Sequence, residues 1–184
     1  MRELSLNLLD IAENSLAAGA KFIEIGVIIC RENDWFSLSV KDDGCGMDEN
    51  TVRKVCDPFT TSRTTRPVGL GIPFFKYSAE SAGGRFQIKS EKGKGTFVEA
   101  SYSIGHIDRM PLGDFGGVIL QLITMNEKVD FRVFVKEGEQ ERVLDTREFK
   151  NILGEDISFQ SPEIRSYLRD FIQENLVNFI GGKL

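Results

Sequence analysis

The sequence predicts a two-layer α/β sandwich, one sheet covered by helices, with a small α+β extension at its C-terminal end. Three observations carry this. Apolar residues recur at helical spacing in residues 3–18, 72–82 and 161–182. Alternating segments arrive as adjacent pairs, 21–30 with 35–41 and 85–90 with 95–104. Finally, the order over residues 3–104 is helix, two strands, short helix, loop, helix, two strands. Paired strands indicate a mainly antiparallel or mixed sheet, with helices gathered on one face.

The first helix places Leu4, Leu8, Ile11, Ala12, Ser15 and Leu16 near one face, and Gly19 ends it. "KFIEIGVIIC" and "WFSLSVK" form a hairpin-like pair around Arg31–Asp34. A short helix follows in "DENTVRKVC", with Asp48 as its N-cap. The Thr-, Pro- and Gly-rich residues 57–71 read as a mobile loop. "IPFFKYSAESA" is a helix stopped by Gly83–Gly84, and "EKGKG" turns between the last two strands of this half. After about Gly105 the pattern changes. "FGGVILQLITM" is a short apolar segment of uncertain type, "VDFRVFVKEG" a clear strand, and the segment from Ser161 a helix with Pro162 in its first turn. Residues 1–104 and 105–184 are therefore expected as a first domain and a small second module.

Hydrophobic residues make up 41% of the 184 residues, enough to bury a core. Lys plus Arg total 23 against 28 Asp plus Glu, a net charge of −5, so a nucleic-acid partner is not expected. The three cysteines, Cys30, Cys45 and Cys56, fit neither a disulfide framework nor a zinc site, which suggests a reducing cytoplasm. "MRELSLNLLD" is no signal peptide, and no apolar run could span a bilayer, so neither a membrane nor export is expected.

"KDDGCGMD", residues 41–48, carries the densest cluster of acids and glycines after a strand. A calcium loop would need oxygen ligands where Gly44 and Gly46 stand. A phosphate loop of the G-x-x-x-x-G-K-[ST] kind is not met by "IKSEKGKGT", and a dinucleotide fingerprint lacks its third glycine. Taken alone, the stretch could be an ordinary glycine turn.

It does not stand alone. "LLDIAENSLAAGA", "KDDGCGMD", "DPFTTSR", "VGLGIPFFK" and "AGGRFQIKSEKGKGTFVEASY" follow one another in an order that resembles the GHKL ATPase superfamily. That superfamily joins gyrase, heat-shock chaperones, histidine kinases and the mismatch-repair protein MutL. The resemblance covers residues 3–102 and implies a Bergerat-type ATP-binding fold with ATP and Mg²⁺ as ligands. It implies that Asn14 offers its side-chain oxygen to Mg²⁺. Asp10 stands where ATP-hydrolysing members carry a glutamate base; it is one methylene shorter, and its alternative is a plain helix-surface acid. Asp42 corresponds to the aspartate that reads the adenine amine, with Thr96 completing that contact and Gly44 and Gly46 making room for the base. Phe59, Arg63, Gly69, Leu70 and Gly71 correspond to the nucleotide lid and the phosphate-facing helix start. Arg63 and Lys76 are candidate phosphate cations, or solvated surface charge. Asp43 is expected to face solvent and Cys45 to fill a position.

The asparagine segment stands close to Met1, and the one histidine, His106, lies beyond the ATP-binding segment. A self-contained autophosphorylating kinase is therefore not expected. Three readings remain: an ATP-binding regulatory protein that hydrolyses slowly or switches state, a kinase acting on a partner, and a non-catalytic nucleotide-binding module. The favoured one is the first, with ATP and a protein partner as ligands and a homodimer as an open alternative.

Overall fold

The computed structural model of the chain describes residues 3–56, 70–154, 158–181 and 184. In order they form α1 (Leu4–Ala17), β1 (Phe22–Cys30), β2 (Trp35–Asp42), α2 (Glu49–Val55), α3 (Gly71–Ser81), β3 (Phe86–Glu91) and β4 (Gly95–Ser103). Then come α4 (Phe115–Met125), β5 (Asp130–Glu137), β6 (Gln140–Asp145), α5 (Thr146–Leu153), α6 (Pro162–Ile172) and α7 (Asn178–Ile180), the last two joined by a π-helical turn. The two expected strand pairs, the Asp48 cap and the helix in "IPFFKYSAESA" are all present; the Asp48 carboxylate accepts from Thr51 N–H at 2.8 Å.

The strands make one six-stranded mixed sheet in the order β3-β4-β2-β1-β5-β6. Every neighbouring pair is antiparallel except β1 and β5, which run parallel in register Phe22↔Asp130 to Ile29↔Glu137. The period-two alternation puts Ile23, Ile25, Val27 and Ile29 of β1 on one face with Phe36, Leu38 and Val40 of β2, and all are buried. That face lies under α1, α3 and α4; Phe75 of α3 packs beside Tyr102 of β4, which stacks on Phe36 at a centroid distance of 5.1 Å. Ser37, Ser39, Glu24 and Lys41 alternate onto the opposite face.

The apolar segment of uncertain type is α4, begun by an Asp114 side chain that accepts from Gly117 N–H at 2.8 Å. The residues beyond 105 do not build a separate sheet: β5 and β6 extend the first one, and their apolar side chains belong to the same core. The β4–α4 connection also closes the first turn of α1, whose Leu4 and Ser5 N–H groups donate to the carbonyls of Pro111 and Leu112 at 3.0 and 2.9 Å. Arg31, at the β1–β2 turn, donates to the Ile180 carbonyl at 2.6 Å and pairs with Glu137, tying the far end of the chain to the hairpin. Among the described residues no helix is long and apolar enough to cross a membrane, and Cys30, Cys45 and Cys56 are free thiols.

Candidate functional site

The β2–β4 register sets the site. It places Asp42, the last residue of β2, opposite Thr96, the second residue of β4. Asp42 is 8% exposed, yet its carboxylate is well supplied with donors. Oδ1 accepts the backbone N–H groups of Gly44 at 2.9 Å and Thr96 at 3.2 Å, and Oδ2 accepts the Ser15 hydroxyl of α1 at 2.6 Å. A carboxylate has about four lone-pair sites. Three are taken, and the free one belongs to Oδ2.

Asp42 lines a cavity of about 180 Å³ between α1, α2, α3 and the sheet. Ile11, Ala18, Met47, Val55, Ile72 and Val98 give it apolar walls, while Asn14, Ser15, Cys45 and Thr96 add polar groups. Its lining suits an apolar ring that offers a hydrogen-bond donor to a buried acceptor. Beside Thr96, the Ser90 hydroxyl accepts from Met47 N–H at 2.8 Å and reaches both the Gly95 carbonyl, at 3.1 Å, and Thr96 Oγ1, at 2.8 Å. This small network fixes the 41–48 loop to the β3–β4 turn.

Gly46 shows why that loop requires glycine. Its φ is +62°, and a Cβ there would fall 2.0 Å from the Glu91 carbonyl oxygen. The requirement met on this side is close approach to the β3–β4 turn rather than room for a ligand. Gly44 is packed between Ala18 and the Asp42 carboxylate.

The remaining sequence-predicted positions are spread along α1 and α3. Asn14 lines the cavity, and Asp10 stands one turn before it, half-buried at the seam between the helices. There Gly71 opens α3 so close to Asp10 that a Cβ would lie 2.9 Å from the Asp10 Cβ. Burial, and next the neighbouring Glu13 charge, push the Asp10 carboxyl above its usual range. Leu70 precedes α3, exposed, with its carbonyl accepting from Phe74 N–H at 2.8 Å. Lys76 is half-buried on α3 near Cys56, whose thiol is pushed up by burial while Lys76 opposes the shift. Phe59, Arg63 and Gly69 lie outside the described residues.

Two expectations change. Asp43 is exposed, but it is more than a solvent-facing acid: its Oδ1 accepts Lys21 and Phe22 N–H at 2.7 and 2.9 Å, holding the start of β1. Cys45 is no filler, since it lines the cavity. From the sequence Ser15 reads only as part of the first helix's packed face, and Ser90 as a strand residue, neither as a member of the site. Their signal was a small polar residue facing a buried carboxylate or a strand-end turn, which only pairing makes visible. Among the described residues no group of three or more His, Cys, Asp or Glu side chains could hold a metal ion, so a cation here would depend on Asn14 and on the ligand's own oxygens.

The sequence model for histidine kinase-, DNA gyrase B- and HSP90-like ATPases matches residues 1–104. This chain belongs to that family. It is 31% identical over 109 residues to a putative sensor protein of Shewanella frigidimarina, covering 59% of this chain and 16% of that one. It is 30% identical over 97 residues to sporulation kinase E of Bacillus subtilis, covering 52% and 13%. It is 35% identical over 88 residues to the sensor protein kinase FleS of Pseudomonas aeruginosa, covering 48% and 22%. The chain thus spans less than a quarter of the length of these relatives. Among solved structures, the N-terminal domain of a DNA repair protein superposes with a TM-score of 0.53 at 13% identity, over 84% of this chain and 57% of that one. That likeness concerns the fold and reaches beyond residue 104.

Proposed function

We propose that this chain binds Mg-ATP in the Asp42 cavity and either hydrolyses it slowly or changes state on binding it, as a regulatory protein. The observation that carries the reading is the free acceptor site on Asp42 Oδ2 inside an apolar slot. An adenine amine would donate to it, whereas a guanine carbonyl at the same place would meet an acceptor. If Ser90 donates to the Gly95 carbonyl, the Thr96 hydroxyl donates to Ser90 and turns its lone pairs toward the cavity, ready to accept from the base or from a water beside it. Gly44 and Gly46 hold the loop against these contacts.

Asn14 would hold the magnesium ion through its side-chain oxygen, and the ion supplies charge neutralisation of the phosphates when bound. Gly69, Leu70, Gly71 and the start of α3 are proposed as the phosphate-facing backbone, with Phe59 and Arg63 in the lid and Lys76 as a cation on α3. Asp10 is the proposed base. Its raised affinity for protons suits that role, while its shorter reach slows it. The ATP-binding unit is proposed as residues 1–104, with 105–184 buttressing α1 and β1 and serving a protein partner or a second copy of the chain. A cytoplasmic location accords with three free thiols.

The test is to follow γ-labelled ATP with Mg²⁺, with the protein alone and with cell extract, beside equilibrium binding of ATP and GTP. Release of free phosphate, or bound ATP with a changed conformation, supports the reading. Label on another protein makes the chain a kinase acting in trans, and absence of ATP binding overturns the assignment.

A further inference from the structure

The Ser90 hydroxyl, near the end of β3, has three short polar contacts but a single proton to give. Met47 N–H donates to it at 2.8 Å, the Gly95 carbonyl lies at 3.1 Å and Thr96 Oγ1 at 2.8 Å. A carbonyl only accepts, so the Gly95 contact takes the Ser90 proton. Ser90 Oγ then has only lone pairs for its other two neighbours, and the Thr96 hydroxyl donates to one of them. This is the one proton arrangement in which all three contacts are hydrogen bonds. It leaves Thr96 Oγ1 with acceptor capacity alone toward the cavity that it lines with Asp42. The Asp42 carboxylate, supplied with donors by Ser15, Gly44 and Thr96, is an acceptor as well. Both side chains therefore present the same polarity at this wall.

We propose that Ser90 is a positioning residue that sets the base preference of the cavity. By taking the Thr96 proton it keeps the wall free of donors, which favours a 6-amino purine over a 6-oxo purine. This role rests on the reading of the Asp42 cavity as the base site. Ser90 does not itself line that cavity and acts through Thr96. A 6-amino group brings two N–H donors, which suit a wall of acceptors. A 6-oxo group brings an acceptor and moves a proton to the ring N1. Asp42 can take that proton, but the oxo oxygen then faces the lone pairs of Thr96. Without Ser90, the Thr96 hydroxyl is free to turn and donate to that oxygen.

The probes are ATP and inosine triphosphate, which differ only in the group at position 6 and the N1 proton that comes with it. Each is titrated calorimetrically, with Mg²⁺, into the full chain, and the readout is the ratio of the two affinities. Loosening of the 41–48 loop through the lost Met47 bond weakens both nucleotides alike, whereas a change of polarity at Thr96 moves their ratio. The parent should bind ATP at least about tenfold tighter than inosine triphosphate, the scale of one hydrogen bond gained against one refused. Ser90→Ala should lower that ratio by about tenfold, and Ser90→Thr, which keeps a hydroxyl on the strand, should hold it at the parent's value. Ser90→Cys, of similar size but a weak acceptor, should fall in between and stands in where Ser90→Ala does not fold. Thr96→Val should lower the ratio as well, and adding Ser90→Ala to it should lower it no further. Four results overturn the proposal while leaving ATP binding intact: equal binding of the two nucleotides by the parent, an unchanged ratio in Ser90→Ala, a lost ratio in Ser90→Thr, or a further fall in the double variant. A parent chain that binds neither nucleotide overturns it together with the reading on which it rests.

Discussion

Replacing Asp42 separates its structural work from its proposed reading of the ligand. In Asp42→Asn the remaining oxygen can stay with the Gly44 and Thr96 N–H groups, and the new NH₂ faces Ser15. The serine hydroxyl can turn to accept, so all three protein contacts survive in altered form. The cost to stability should stay below about 1 kcal/mol, since no buried group loses its partner. In the cavity the consequence is different. The free acceptor becomes a donor facing another donor, and a hydrogen bond to a charged group is lost, worth about 1.5–3 kcal/mol. ATP affinity should therefore fall by between about tenfold and about 150-fold. Asp42→Ala should differ in kind. It strands two N–H groups and should unfold at a stability lower by about 2–4 kcal/mol. The assay is titration calorimetry with ATP and GTP beside chemical denaturation of the same three chains. If Asp42→Asn is as stable as the parent and binds ATP equally well, Asp42 does not read the base and the reasoning fails.

Gly46→Ala should destabilise the fold by about 2–4 kcal/mol, because the left-handed backbone and the Glu91 carbonyl both oppose a Cβ. Gly93→Ala, left-handed but with nothing within 4 Å of its Cβ position, should cost only about 1 kcal/mol, and denaturant midpoints of the two variants give the comparison. Tyr102→Phe removes a hydroxyl that shares a 3.1 Å hydrogen bond with Ser78, so it should lower stability by about 1 kcal/mol in thermal unfolding. Asp10 and Asp145 should give opposite pH signatures. The Asp10 carboxyl binds its proton more tightly folded than unfolded, so its contribution to stability declines as pH rises from the usual carboxylate range through its raised folded value. Asp10→Asn should remove that decline and raise stability at neutral pH. The Arg147 side chain holds the Asp145 carboxyl below its usual range, so its contribution is full above that range and is lost as pH falls through the depressed value. Denaturation across acid to neutral pH, in the parent and in Asp10→Asn and Asp145→Asn, reads both signs.

Local pattern carried most of the fold. The alternation in 21–30 and 35–41 and the glycine stops announced their elements because each depends on a few neighbouring residues. Asp42 is singled out by the family resemblance of the segments around it, since a strand end before a glycine loop reads equally well as an ordinary turn. Its supports are not singled out at all. Ser15 occupies a place in the apolar stripe of α1, where a serine reads as tolerated filler, and only the packing of α1 on β2 brings its hydroxyl to 2.6 Å from Oδ2. Asp43 is exposed in the way its acidity suggests, yet its hydrogen bonds run to Lys21 and Phe22 N–H, 22 and 21 residues back in the chain. The glycines were legible as positions of special need. The need itself, a carbonyl on the next turn, was not.

The position of β5 shows the same limit on a larger scale and bears on the site. Its alternation is plain in "VDFRVFVKEG", but nothing local says that it will lie parallel to β1, more than a hundred residues away. Once there, it makes β1 an interior strand and brings α4 against α1. The first turn of α1 is then hydrogen-bonded to Pro111 and Leu112, and Glu3 accepts from Asp114 N–H at 3.2 Å. The helix that carries Asp10, Asn14 and Ser15 is thus clamped between α3 on one side and the later half of the chain on the other. What the second half does for the cavity is thus structural: its contacts with α1 hold that helix where the Ser15 hydroxyl meets Asp42.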